Sequence, residues 1–87
     1  MRKEIKILKS LANEKRLEIL EALKKFNELS VSELSQEINL HFKSTSKHLQ
    51  KLVEAGLVEQ RRQGYWAKHN LKKGADKILK AAKDLAK

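Results

Sequence analysis

His41, His48 and His69 are the chain's three histidines, and it has no cysteine. The histidines show no i,i+4 pairing, and without thiolates the usual soft-metal site is closed. Ser30 and Ser32 have no evident His/Asp constellation to activate a hydroxyl. Glu33, Glu37, Asp76 and Asp84 show no paired-carboxylate pattern of the kind acid–base catalysis uses. No enzyme, no metal and no cofactor is expected. The chemistry on offer is of another kind. Lys43, Ser44, Ser46, Lys47, His48 and Lys51 fall close together, and Arg61, Arg62, Gln63, Tyr65 and Lys68 follow. Cationic donors interleaved with hydroxyl, amide and aromatic groups suit a polyanion.

The charge distribution agrees. Residues 1–40 carry 8 Lys and Arg against 7 Asp and Glu, whereas residues 41–87 carry 12 against 4. The net charge of +9 therefore resides almost wholly in the second half. A localised positive field points to a polyanionic partner, and a solubilising lysine-rich surface is the plainer reading of charge alone. The chain has 87 residues, the size of one domain. A domain this small buries only about 60% of its unfolded surface, so self-association is a natural supplement. No apolar stretch approaches the ~20 residues that span a membrane. The first ten residues, MRKEIKILKS, are charged throughout and lack a signal-peptide core. A soluble, cytoplasmic protein without membrane contact is expected.

Several elements must position those donors. Ile5, Leu8 and Ala12, with Leu11 beside them, recur at helical spacing and predict a first helix over about residues 2–11. Asn13 is a fair N-cap for a second helix, Glu14–Lys25, with Leu17, Leu20 and Leu23 on its apolar face. Ser30-Val-Ser-Glu33 is a capping box that opens a short third helix ending near Ile38. Asn39 suits the left-handed closing position. A fourth helix runs from Phe42 to the break at Gly56. Phe42, Thr45, Leu49, Leu52 and Val53 share one face, and Lys43, Ser44, Lys47, Lys51 and Glu54 the other, with Ser46 and His48 on the flanks. Leu57–Arg62 and Tyr65–Leu71 read as strands joined across Gln63-Gly64. Ala75, Ile78, Leu79, Ala82, Leu85 and Ala86 describe a last amphipathic helix, about 73–86. The expected class is mainly α with a small β-hairpin, in the order H-H-H-H-E-E-H. Helices three and four are joined by a helix-turn-helix-length connection, and a basic hairpin follows. That is the plan of a winged helix-turn-helix, occupying residues 1–87 as one domain.

Four segments in this order, LANEKRLEILEAL (11–23), LSVSELSQEINL (29–40), KSTSKHLQKLVEAGLVEQRRQGYW (43–66) and Leu71, resemble the ArsR/SmtB-like winged-helix repressors. The resemblance covers about residues 8–71. It implies a homodimer held by the first and last helices, with Ile5, Leu8, Ile78, Leu79, Ala82 and Leu85 as its contacts. It implies a fourth helix in the major groove of double-stranded DNA and a hairpin on the backbone or minor groove. Two departures stand out. Metal-sensing members open the third helix with a motif like E-L-C-V-C-D-L; here Glu28 to Leu34 put Ser30 and Ser32 where the thiolates would be. The usual Ser cap and first-turn Gln of the recognition helix are His41 and Phe42.

In that setting Lys43, Lys47 and Lys51 are expected on phosphates, and Ser44, Ser46, Lys47 or His48 on base edges. Arg61 and Arg62, with Gln63, Tyr65 and Lys68 near them, make the wing. His48 is equally suited to covering the core's edge. Trp66 is expected to pack on the body of the domain or in an interface. The function expected is a sequence-specific transcriptional regulator, a homodimeric repressor without a thiolate sensor. A non-specific architectural DNA binder and a winged-helix protein-interaction module remain the alternatives. The residues name neither an effector nor an operator.

Overall fold

Asn13 anchors the helical half of the protein, because its side-chain carbonyl accepts the Arg16 amide at 3.0 Å and stops the chain from continuing the preceding helix. In the computed structural model of the chain, which describes residues 2–85, the elements run α1 (Lys3–Leu11), α2 (Glu14–Phe26), β1 (Glu28–Ser30), α3 (Val31–Ile38), α4 (Phe42–Glu54), β2 (Val58–Gln63), β3 (Trp66–Leu71) and α5 (Ala75–Leu85). The expected helices and hairpin are all present. Residue 86, assigned above to the last helix, lies outside the described residues.

The predicted capping box is formed. Ser30 Oγ accepts the Glu33 amide at 3.2 Å, and the Glu33 carboxylate accepts the Ser30 amide at 2.8 Å. Asn39 closes α3 at φ 53°, ψ 56°, the left-handed conformation that asparagine tolerates. Leu40 and His41 complete a three-residue turn into α4.

The sheet has three strands, in the order β1-β3-β2, all antiparallel. β1 is the strand that the sequence did not announce. It pairs Leu29 with His69 and Ser30 with Lys68. Asn27, at φ 70°, turns the chain out of α2 and into it. The hairpin turn is also shifted by one residue from the expected Gln63-Gly64. Gln63 pairs with Trp66, which leaves Gly64 and Tyr65 as the two-residue loop. Gly64 takes φ +61° and Tyr65 does not share the positive φ, the requirement of a type II′ hairpin.

The core is built around α2, which packs on α1, α3, α4, α5 and the sheet. Ile19, Leu20 and Leu23 of α2 meet Leu34, Ile38, Leu49, Leu52, Leu57, Val58 and Leu79. Each such side chain contributes roughly 1.5–3 kcal/mol on burial. Lys15 Nζ donates to the Ile38 carbonyl at 3.0 Å, and Lys83 bridges to Glu21 at 3.0 Å, so α3 and α5 are both fastened to α2. Leu79, expected at a subunit contact, is 1% exposed and belongs to this core. It lies six residues before Leu85 on α5, on the side that α2 covers.

Candidate nucleic-acid interface

The helical period of α4 sorts its residues into two sets. Thr45, Leu49 and Leu52 are buried against the domain. Lys43, Ser46, Lys47, Gln50 and Lys51 are exposed, and Ser44 and His48 are half-buried on the flank nearer α2. Lys43, Lys47, Lys51 and Glu54 are exposed as the sequence pattern expects, whereas Ser44, assigned to the same face, is half-buried and Ser46, assigned to a flank, is exposed. Phe42 is a further exception. It shares the apolar wheel position but sits on the first turn, beyond the core's edge, and is 58% exposed.

The start of α4 has no side-chain cap, and its first turn has no acidic residue. Thr45 turns its hydroxyl back to the His41 carbonyl at 2.9 Å instead. The first amides of α4 are thus left for an outside acceptor, at the positive end of the helix dipole. An anion is the natural occupant of such an end.

The wing stands beside α4. Ser46, Gln50 and Glu54 of α4 face Gln60, Ala67 and His69 of the sheet across a groove of about 520 Å³. Gln50 and Gln60 were not singled out in the sequence. Gln50 stands one turn past Ser46, and that i,i+4 relation is the signal that would have found it. Arg61, Arg62, Gln63 and Tyr65 are all exposed along β2 and the hairpin loop.

Trp66 differs from expectation. It is 65% exposed. Ala67, His69 and Leu71 are the residues of β3 that turn inward, and strict alternation then sends Trp66 out. It lies on the outer sheet face across from Gln63.

Two of the expected DNA-facing residues have partners within the protein. Lys68 Nζ lies 2.9 Å from the Glu33 carboxylate. The Ser30 amide and then the Lys68 ammonium hold the Glu33 pKa down to about 2. His48 Nδ1 accepts from Arg16 Nε at 3.3 Å. Partial burial, and then the Arg16 charge, lower the pKa of His48. Both favour the neutral imidazole, and accepting at Nδ1 places its proton on Nε2, the tautomer in which a free donor remains. His69 is 3% exposed and its Nδ1 has no partner among the described residues. Burial lowers its pKa, opposed by a hydrogen bond with the Leu29 backbone.

A metal centre does not fit these residues. The Ser30 hydroxyl is committed to capping α3, and Ser32 is an exposed, neutral hydroxyl. Among the described residues, no three His, Cys, Asp or Glu side chains are grouped to hold a metal ion. No helix among them is long and apolar enough to cross a membrane.

Apolar residues of the terminal helices are also left uncovered. Leu8 and Leu85 are 65% and 88% exposed, and Ile5, one turn before Leu8 on α1, is exposed too. Ile78 and Ala82 are half-buried on α5.

Comparison with known proteins places this architecture. The sequence model of the bacterial regulatory protein, arsR family, matches residues 13–60, more than half of the chain. The transcriptional activator HlyU of Vibrio cholerae is 46% identical over 61 residues, 70% of this chain and 56% of that protein. The arsenical resistance operon repressor of Escherichia coli is 37% identical over 67 residues, 77% of this chain and 57% of that protein. The chain thus spans a little over half the length of these curated relatives. The solved structure of HlyU from Vibrio cholerae superposes with a TM-score of 0.83 at 36% identity, covering 95% of this chain and 90% of that one. The homodimeric winged helix-turn-helix DNA-binding domain from Mycobacterium bovis superposes with a TM-score of 0.88 at 27% identity, covering 97% and 78%. The three-residue turn, the outward cationic face of α4 and the hairpin beside it are those of a winged helix-turn-helix, and the chain belongs to the arsR family of bacterial regulatory proteins.

Proposed function

We propose that the protein is a homodimeric, sequence-specific double-stranded DNA-binding regulator that represses transcription by occupying its operator. The observation that carries this reading is the exposed cationic face of α4, with uncapped amides at its start and an arginine-bearing wing across a groove. Lys43, Lys47 and Lys51 serve phosphates. Ser44, Ser46, Lys47 and the Nε2–H of His48 serve base edges, where hydrogen-bond patterns distinguish sequences. Arg61 and Arg62 grip the backbone beside the groove, with Gln63 and Tyr65 at the tip. Lys68, held by Glu33, contributes to the field more than to a contact.

The dimer follows from the uncovered apolar residues. Ile5 and Leu8 of α1 and Leu85 of α5, with Ile78 and Ala82, supply the seam. Leu79 supports it from within the core. The homodimeric winged helix-turn-helix domain from Mycobacterium bovis is a structural precedent. Two copies then read half-sites about one helical turn apart, or a multiple of that.

Selection from a randomised duplex library, followed by titration of the winner against scrambled DNA across salt, tests the proposal. A palindromic winner bound about 10³-fold or more tighter than scrambled DNA is the expected result. Salt-sensitive binding with no preferred sequence would replace it with the architectural reading. No binding at low salt would leave a protein-interaction module.

A further inference from the structure

A cavity of about 330 Å³ lies between α1, α2 and the last turn of α4. Lys6, Lys9, Ser10, Arg16, Lys51 and Glu54 line it. Four of these side chains are cations from three different helices. None of the four makes a salt bridge among the described residues, although a carboxylate stands in the same wall. Glu54 and the carbonyl end of α4 together offset about one and a half charges. An excess of more than two positive charges therefore remains around one concavity.

Ser10 adds an independent observation. It is 4% exposed, on the side of α1 from which Ile7 and Leu11 pack against the core. Its hydroxyl makes no side-chain hydrogen bond among the described residues, and the residue lines the cavity. Its oxygen is not one of the enclosed, unpartnered side-chain atoms among the described residues, so it opens to the cavity, where an oxyanion can accept from it. Arg16 is fixed at the cavity's edge. Its Nη1 donates to the Lys9 carbonyl at 3.3 Å, and its Nε to His48 at 3.3 Å.

We propose that this cleft is a phosphate-binding site, in which Lys6, Lys9, Arg16 and Lys51 surround the oxyanion and Ser10 donates to it. The volume is about ten water volumes and sits at the small end of ligand cavities. It admits a phosphate or diphosphate group, with whatever the group is attached to left outside the cleft. The phosphate belongs either to a small phosphorylated molecule or to the backbone of bound DNA. Arg16 links the site to α4 through His48, so filling the cleft biases the helix that reads DNA. This last step rests on the function proposed above.

The test is a titration of the isotope-labelled protein with pyrophosphate at constant ionic strength, followed by two-dimensional amide NMR, with chloride as the control. Saturable shifts at Ser10, Arg16 and Ala55 are expected, with binding at least ten-fold weaker in Lys6→Gln/Lys9→Gln. Both lysines are exposed, so that variant keeps the fold and the dispersed spectrum. Shifts that never saturate, that chloride reproduces, or that survive unchanged in the double variant would overturn the site. A duplex that moves the same resonances and is displaced by pyrophosphate identifies backbone phosphate as the source. A duplex that leaves them unmoved, with its affinity altered by pyrophosphate, identifies a small molecule. Pyrophosphate binding with no effect on duplex affinity would overturn the link to α4. Failure to bind any duplex would remove the proposed function and leave the pyrophosphate result standing.

Discussion

The Lys68 ammonium meets the Glu33 carboxylate at 2.9 Å, which joins the wing's central strand to the first turn of the helix that precedes the recognition helix. Glu33 simultaneously receives the Ser30 amide at 2.8 Å. One carboxylate therefore caps α3, pairs with β3 and neutralises a cation of the sheet.

Because the Glu33 pKa is held at about 2, below its unfolded value, its contribution to stability is fully present above about pH 4.5 and is lost as pH falls towards 2. The side chain is half exposed, so the effect is modest. Glu33→Gln should flatten the acid limb of stability in chemical denaturation between pH 5 and pH 2. An acid limb identical to the parent's would refute the assignment. Ser30→Ala removes the other half of the box and should cost about 1 kcal/mol at neutral pH.

His48 and His69 both have depressed pKa values, so each favours the fold above the unfolded histidine value of about 6.5. Their contribution declines as pH falls through the lowered folded values. Imidazole NMR should find His48 titrating below an unfolded reference histidine, with the neutral form protonated on Nε2. Arg16→Gln should raise the His48 pKa, because it removes both the neighbouring charge and the donor to Nδ1. A His48 found doubly protonated at pH 6.5 in the parent protein would contradict the Arg16 geometry.

Leu79 and Leu85 separate folding from assembly. Leu79→Ala opens a cavity in the core and should cost about 2–5 kcal/mol. Leu85→Glu should leave the circular dichroism of the fold intact and shift sedimentation towards the monomer. A Leu85→Glu protein that remains dimeric at micromolar concentration would exclude the α5 seam.

Trp66→Ala should change stability by no more than about 0.5 kcal/mol, since the side chain is solvated on the outer sheet face. The parent fluorescence should be freely quenched by a soluble quencher. A Trp66 shielded from quencher in the absence of DNA would mean that a second surface covers it.

Lys47→Ala and Arg62→Ala distinguish base reading from backbone contact. Loss of Lys47 should relax preference at one operator position. Loss of Arg62 should weaken all sequences alike and lower the salt slope by about one. Equal, sequence-blind losses from both would withdraw base reading from Lys47.

What was legible in the sequence was local. The Ser30–Glu33 box spans four residues, Asn39 announces its own left-handed conformation, and the faces of α4 follow from a fixed period. What was hidden depends on partners distant in the chain. β1 has three residues, too few to show alternation, and exists because β3 pairs with it. The inward phase of β3, and so the exposure of Trp66, is set by His69 lying under that pairing. Arg16 and His48 are 32 residues apart, and nothing in either neighbourhood points to the other. Leu79 and Leu85 share one amphipathic stripe, which cannot say which of them α2 will cover.

Under the proposed function, the third strand governs how the protein would meet a duplex. Ser30 is both the last residue of β1, which pairs with the wing strand β3, and the cap of α3, so the sheet and the helix-turn-helix share a residue instead of a hinge. A free hairpin would lose its conformational freedom on contact with DNA. Here that ordering is completed when the chain folds. The spacing between α4 and the wing is consequently a fixed gauge. A duplex whose groove width does not match it must deform, and sequences differ in how readily they do so. Operator choice would then depend on flexibility at positions that no side chain touches.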